Sequence, residues 1–178
     1  VLAVAVASAP EVVEAQIRAV QGMAGEADEH EVLEGQAHDA FWAAMRDFDS
    51  GYGSAVVLKA GVLLDKVADT MEYGERLAAQ HGLPVAVISE AGTGILRYYF
   101  RGGDGADGKT RLAKVVDPLR AFAVEAKGSL VVLQAPPEVK ALVNVWGPAG
   151  KGFALMQGLK EQFDPGHILS PGRFLGGL

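Results

Sequence analysis

Two side chains that can bind an anion together lie two residues apart in a predicted strand. Arg97 and Tyr99 belong to the segment ILRYYF, residues 95–100, and alternation along a strand places them on one face. A guanidinium makes forked contacts to a carboxylate, and a phenol hydroxyl can donate one more hydrogen bond. The pair therefore predicts a carboxylate-binding surface. The alternative is a solvent-facing sheet in which Arg97 only forms a cross-strand ion pair with Glu90.

A β-hairpin is predicted to position this pair, because residues 85–89 and 95–100 are joined by the turn sequence AGTG. Further strands are predicted at residues 55–58, with Lys59 at the end, and at 130–133. Helical spacing of apolar residues predicts helices at 63–81, 109–127 and 151–162, and residues 141–146 are predicted to be extended. The mixed order and the tight hairpin favour an α+β fold, with antiparallel sheet, helices packed on one face and ferredoxin-like halves.

The first part of the chain reads as a buried strand, residues 1–9, that leads into a helix at 10–21. A short strand at 31–35, a helix at 37–48 and a turn at 49–53 are predicted to follow. Because the sequence begins inside a predicted core strand, we expect residues 1–178 to be one domain excised from a longer protein.

The C-terminal tail contains two stiff turns. Asp164, Pro165 and Gly166 are predicted to end the last helix, and Ile168 and Leu169 to be buried. The pair Pro171-Gly172 favours a type II turn, which would hold Arg173 in a fixed direction. The alternative is an ordinary capped helix with a surface arginine.

A glycine-rich segment matches a nucleotide-binding motif, since residues 103–110 satisfy G-x-x-x-x-G-K-[ST]. Asp104 and Asp107 would place carboxylates where phosphates must bind, and no later strand ends in a magnesium-binding aspartate. A solvent-exposed glycine loop is therefore favoured. A P-loop nucleotide-binding domain stays as an alternative.

Composition excludes several classes of function. The net charge of −6 argues against nucleic-acid binding, and the absence of cysteine excludes disulfides and an iron–sulfur cluster on this chain. The four histidines lack metal-ligand spacing, so no metal site is predicted and no catalytic residue is assigned. No apolar run approaches the roughly 20 residues that a membrane-spanning helix needs.

Three motifs together resemble the C-terminal domain of the FAD-linked oxidases, which are vanillyl-alcohol-oxidase-type flavoproteins. They are the hairpin with its AG-x-G turn and ILR strand, the run VNVWG at 143–147, and the tail FDPGHILSPGR at 163–173. The likeness is greatest to the FAD-binding subunit of glycolate oxidase. Ser170 replaces the usual asparagine, Asn144 replaces an acid, and the histidines that some relatives carry near the hairpin turn are missing.

This resemblance implies an FAD-dependent oxidation of a small 2-hydroxy acid such as glycolate. FAD would be bound mainly by an N-terminal FAD-binding domain missing from this chain, so the chain alone would be inactive. The resemblance assigns Lys59, Glu90, Arg97 and Tyr99 to the substrate side, although Lys59 could simply cover apolar surface with its stem.

Asn144, Trp146 and Arg173 would contact the flavin or the neighbouring domain, although Trp146 could instead be a plain core residue. The partners implied are the flavin domain and glycolate-oxidase-type subunits that include an iron–sulfur subunit. The implied location is cytoplasmic, with contact to the inner membrane through those subunits. The alternative function is a non-catalytic structural or interaction module of a multi-subunit flavoenzyme.

Overall fold

The computed structural model describes residues 1–25, 29–103 and 105–178, and divides the chain into two compact units, Val1–Asp47 and Phe48–Leu178. The first unit contains helices α1 (Pro10–Met23) and α2 (Gly35–Arg46). The strands predicted at 1–9 and 31–35 are wrong, since neither stretch has regular structure before Gly35 starts α2. Alternating Val and Ala suits a pleated surface only where a partner strand pairs with it, and the described part of this unit contains none.

The second unit is built on a four-stranded sheet, and it confirms the predicted α+β fold. The strands are β1 (Val56–Gly61), β2 (Val85–Glu90), β3 (Ile95–Phe100) and β4 (Ser129–Gln134), in the order β2-β3-β1-β4 with every pair antiparallel. Helix α4 (Val67–Gln80) connects β1 to β2, and α5 (Gly105–Glu125) connects β3 to β4. This β-α-β-β-α-β succession is the ferredoxin-like arrangement. It occurs once in the described residues.

Helices α4 and α5 cover one face of this sheet and enclose the core. Most of its fully buried members come from alternate positions of β1 and β3 and from one stripe of α5: Val56, Leu58, Ala60, Leu96, Tyr98, Phe100, Leu112, Val115, Val116, Leu119 and Ala123. Gly74 lets α4 approach the sheet closely, because a Cβ there would lie 2.2 Å from the Tyr98 ring. The Tyr98 hydroxyl donates to the Thr70 carbonyl at 2.7 Å, so the core phenol has a partner.

Three shorter helices lie around this unit: α3 (Phe48–Tyr52), α6 (Pro137–Lys140) and α7 (Phe153–Phe163). The turn predicted at 49–53 is therefore a helical turn, in which Phe48 stacks on Tyr52 with ring centroids 5.2 Å apart. Residues 141–146 form turns, not an extended segment. Ile168 and Leu169, predicted to be buried, are 79% and 63% exposed.

The glycine-rich segment is not a solvent-exposed loop. Helix α5 begins at Gly105 and takes in the last six residues of the motif. Gly108 is buried against Gly103, since a Cβ on Gly108 would lie 2.5 Å from the Gly103 Cα. Asp104 lies outside the described residues. A P-loop belongs to a parallel sheet, so the wholly antiparallel sheet contradicts the nucleotide-binding alternative.

Within residues 1–25, 29–103 and 105–178, no helix has the length and apolar character to cross a membrane. The same residues contain no cluster of histidine and carboxylate groups that could hold a metal ion.

Candidate functional site

The sheet face turned away from α4 and α5, here called the open face, gathers the predicted substrate-side residues. Cross-strand partners share a face, and Ile88, Arg97, Lys59 and Val131 form one row across the four strands. Lys59 lies in the middle of β1 and not at its end as predicted, directly opposite Arg97. Side chains in such positions have Cβ atoms about 4.5–5.5 Å apart. The register thus brings together two cations that are 38 positions apart in sequence.

Glu90 balances only one of these two cations. Its carboxylate accepts a hydrogen bond from the Arg97 guanidinium, which is the cross-strand ion pair expected as an alternative to a binding role. Lys59 has no ion-pair partner among the residues that the structure describes. Like charges directly opposite one another are unfavourable unless a further anion lies nearby. Around the row that contains Lys59 and Arg97, the open face therefore carries two positive groups and one negative group, a balance that suits a bound carboxylate.

Tyr99 lies in the next row of the same face and is 7% exposed. Its ring packs edge-on against Phe48 at 5.0 Å, and its hydroxyl makes no hydrogen bond within the described chain. Burial raises the pKa of the phenol, Arg97 opposes this, and the carboxylates of Asp49 and Glu90 raise it further. Tyr99 therefore stays protonated near neutral pH and can donate a hydrogen bond to an anion.

Sequence reasoning did not find the contribution of α3 to this region. One carboxylate oxygen of Asp49 and the hydroxyl of Ser54 are buried without a hydrogen-bond partner in the described structure. The available signal was the spacing of Phe48 and Tyr52, which lie four residues apart on one helical face. Asp49 lies close enough to Tyr99 to raise the pKa of its phenol.

The predicted cofactor residues Asn144 and Trp146 do not present a shared face. The Asn144 side chain accepts from the backbone amides of Trp146 (3.1 Å) and Gly147 (3.0 Å), and it donates to the Gly147 carbonyl. It is therefore occupied in closing a turn, which is why residues 141–146 are not extended. Trp146 is 39% exposed and lies outside the core, so the alternative of a plain core residue is wrong.

Trp146 and the tail, residues 164–178, are in direct contact. The indole N–H donates to the Arg173 carbonyl at 3.3 Å, and the ring meets Phe174 edge-on at 4.9 Å. The Arg173 guanidinium forms no hydrogen bond or ion pair with any described residue. It lines a cavity of about 520 Å³ between α7 and the tail, together with Met156, Leu159, Lys160, Leu169, Ser170, Phe174 and Leu178.

Asp164 fixes the start of the tail. Its carboxylate accepts from the backbone amides of Ile168 and Leu169 at 3.0 Å each, and it pairs with Lys160 at 2.5 Å. The same lysine also donates to the Leu169 carbonyl. The lysine contact, aided by the two amides, lowers the pKa of Asp164 from 3.8 to about 2. The tail is thus ordered by polar contacts while Ile168 and Leu169 remain exposed.

Comparisons with known proteins give the family of the chain. The family model described as "FAD linked oxidases, C-terminal domain" matches residues 1–131 and 140–174. A D-lactate dehydrogenase of Anaerostipes hadrus is 31% identical over 113 residues, which are 61% of this chain and 23% of that relative. The matched part thus spans under a quarter of that relative's length. Because the family model covers most of the sequence, the chain belongs to the family of FAD-linked oxidases, as their C-terminal domain.

Proposed function

We propose that this chain is the substrate-side domain of an FAD-dependent oxidoreductase that oxidises a small 2-hydroxy acid, glycolate or D-lactate. The observation that carries the proposal is the open face, where Lys59 and Arg97 are direct cross-strand partners and Tyr99 follows in the next row. Ammonium, guanidinium and phenol groups form a donor set that a carboxylate satisfies. The name of the relative supports a hydroxy acid as substrate.

Within this proposal, the residues of the open face bind and orient the acid. Arg97 contributes a forked contact, Tyr99 donates from its protonated hydroxyl, and Lys59 supplies the charge that Glu90 does not balance. Glu90 holds Arg97 in place through their ion pair and is a positioning group rather than an anion-binding one. FAD, when bound, supplies the acceptor for the hydride of the α-carbon.

The surface formed by Trp146 and the tail suits the isoalloxazine ring of a flavin better than the phosphates of FAD. Trp146 and Phe174 present partly exposed aromatic surface beside the unpaired guanidinium of Arg173, a combination that suits a flat ring whose reduced form is anionic. Residues 105–110 of the glycine-rich segment offer no phosphate-binding loop, because they are part of α5. FAD would therefore be held mainly by an N-terminal FAD-binding domain, which the family assignment implies.

An exposed apolar stripe on α7 supports contact with that domain. Leu155, Leu159 and Phe163 recur every four residues along the helix, and Phe163 is 75% exposed. Contiguous apolar surface of this kind marks an interaction site in soluble domains. We propose that the stripe and the tail dock on the flavin-binding domain. The further partners proposed are glycolate-oxidase-type subunits that include an iron–sulfur subunit.

The test is anaerobic reduction of bound FAD in the protein assembled with its flavin-binding domain. Glycolate and both enantiomers of lactate are added, and the loss of flavin absorbance is followed. The matched control is acetate, which keeps the carboxylate but has no α-hydroxyl group. Reduction by one hydroxy acid and not by acetate is the expected result, and a flavin that none of these acids reduces would overturn the proposed substrate class.

A second candidate function is a non-catalytic module that stabilises a flavoenzyme partner, favoured by the same apolar stripe on α7. It predicts that Arg97→Leu leaves the KM for the hydroxy acid unchanged, whereas the first function predicts that this KM rises. Leu159→Asp should disrupt assembly under both functions, so the KM of Arg97→Leu in the assembled protein separates them.

A further inference from the structure

The core of the sheet unit is linked to the tail by a path of contacts that begins at Arg120. This residue of α5 is 6% exposed. Its guanidinium donates to the Leu130 carbonyl at 3.3 Å, to the Asp117 carboxylate at 2.6 Å and to the Asn144 carbonyl. One side chain therefore joins α5, β4 and the loop formed by residues 143–147. A guanidinium buried this deeply is stable only while such partners are in place.

The loop is shaped around that guanidinium. Gly147 has a φ of +82°, and a Cβ at this position would lie 3.1 Å from Nε and 3.2 Å from Cδ of Arg120. The Asn144 side-chain oxygen accepts hydrogen bonds from the backbone amides of Trp146 and Gly147. The backbone carbonyl of Asn144 accepts a hydrogen bond from Arg120. The contacts of Asn144 and Gly147 with Arg120 thereby fix the orientation of the Trp146 side chain.

Trp146 carries the path to the end of the tail through its contacts to the Arg173 carbonyl and the Phe174 ring. The loop has a second attachment that does not involve Arg120, since Val132 donates to the Val145 carbonyl at 2.9 Å. A change at Arg120 should therefore alter the orientation of the loop without detaching it.

We propose that Arg120 is a positioning residue, which sets the placement of Arg173 and Phe174 through Asn144 and Trp146. Lysine keeps the charge but, as a point donor on a flexible stem, does not reproduce three contacts in one plane. The effect on flavin binding rests on the proposed function, in which the tail faces the flavin. The effect on the tail itself does not depend on it.

The experiment compares Arg120→Lys with Arg111→Lys, a matched control on α5. Among the described residues, the exposed Arg111 guanidinium donates to the His81 carbonyl alone. In a Trp42→Phe background, Trp146 is the single tryptophan of the chain. We expect Arg120→Lys to shift the Trp146 emission to longer wavelength and to make amide exchange at residues 173–178 roughly tenfold faster. The control should change neither quantity.

A double-mutant cycle with Trp146→Phe identifies the route. If Arg120 acts through the indole, adding Arg120→Lys to Trp146→Phe has no further effect on exchange in the tail. Additive effects, or unchanged exchange in Arg120→Lys, would overturn the proposal. If Arg120→Lys does not fold, Asn144→Ala tests the same path and must loosen the tail to the same extent.

Flavin content of the assembled protein separates this proposal from the proposed function. If Arg120→Lys and Trp146→Phe both loosen the tail and leave flavin content at the wild-type value, the positioning role stands and the flavin-facing role fails. If Trp146→Phe lowers flavin content and Arg120→Lys does not, Arg120 is not a positioning residue for the flavin.

Discussion

Replacing Arg97 by leucine should weaken substrate binding far more than it lowers stability. The ion pair with Glu90 has side chains that are 32% and 47% exposed, and such pairs stabilise a fold by only about 0–1 kcal/mol. The substitution also removes the repulsion from Lys59, a direct cross-strand neighbour, which offsets part of that loss. We therefore expect the free energy of unfolding to fall by about 1 kcal/mol or less.

The loss of substrate-binding free energy is larger than the loss of stability, because the substitution removes a hydrogen bond between charged groups. Such bonds contribute about 1.5–3 kcal/mol, and each 1.36 kcal/mol is a factor of ten. KM for the hydroxy acid should then rise about 10- to 150-fold, provided that chemistry is slow relative to substrate dissociation. Steady-state kinetics of the assembled flavoprotein and thermal unfolding of the same preparation measure the two effects side by side.

The matched control is Arg76→Leu, which removes an exposed arginine paired with Glu72 on α4, away from the open face. Its KM should equal that of the wild type. The KM of Arg97→Lys should lie between those of the wild type and Arg97→Leu, because lysine keeps the charge and loses the forked contact. An unchanged KM together with a lower melting temperature in Arg97→Leu would refute the reasoning and leave Arg97 as a structural partner of Glu90.

Three further results are expected. Gly94→Ala should lower the free energy of unfolding of the second unit by roughly 2–4 kcal/mol in chemical denaturation. The reason is that Gly94 has a φ of +72° and a Cβ there would lie 2.1 Å from the Val62 carbonyl oxygen. Gly92→Ala, in open space in the same turn, is the control and should leave the stability almost unchanged. The lowered pKa of Asp164 stabilises the fold above pH 4, and this contribution should be lost between pH 4 and about 2; the melting temperature of Asp164→Asn should not show that acid step. Calorimetry should detect no binding of FAD or Mg-ATP to the chain alone, and Lys109→Ala should leave that result unchanged; micromolar Mg-ATP binding that Lys109→Ala abolishes would overturn the fold.

The hairpin and its flanking strands were predictable because their signals are local. Alternation along residues 95–100 and the AGTG turn fix both the strand and its partner, and β2 and β3 pair as expected. Residues 1–9 show the same alternation, yet no described strand pairs with them and Val1 and Leu2 are exposed. Strand propensity measures how well a side chain fits a sheet, so it fails where no neighbouring strand is present.

The arrangement of the candidate site was predictable only in part. Arg97 and Tyr99 share a face through local alternation, whereas the position of Lys59 opposite Arg97 depends on a pairing of strands distant in sequence. Arg120 was missed because charged residues recur along α5, so it looks like an ordinary surface residue of an amphipathic helix. Its position four residues after the buried Val116 was the available signal, since a charge on a buried stripe must find partners.

The loop of residues 143–147 lies along the outer side of β4, and this position limits how the sheet could be extended. An unpaired strand edge is a template for another strand, from a second copy or from an unfolded neighbour. Here Val132 already donates to the loop and the Leu130 carbonyl already accepts from Arg120, so those ladder groups are occupied. Strand addition at β4 would require the loop to leave first. Within the described sheet, β2 is then the edge strand whose outer backbone groups have no neighbouring strand. Aggregation or strand exchange would begin there, and a charged substitution on β2 should suppress it.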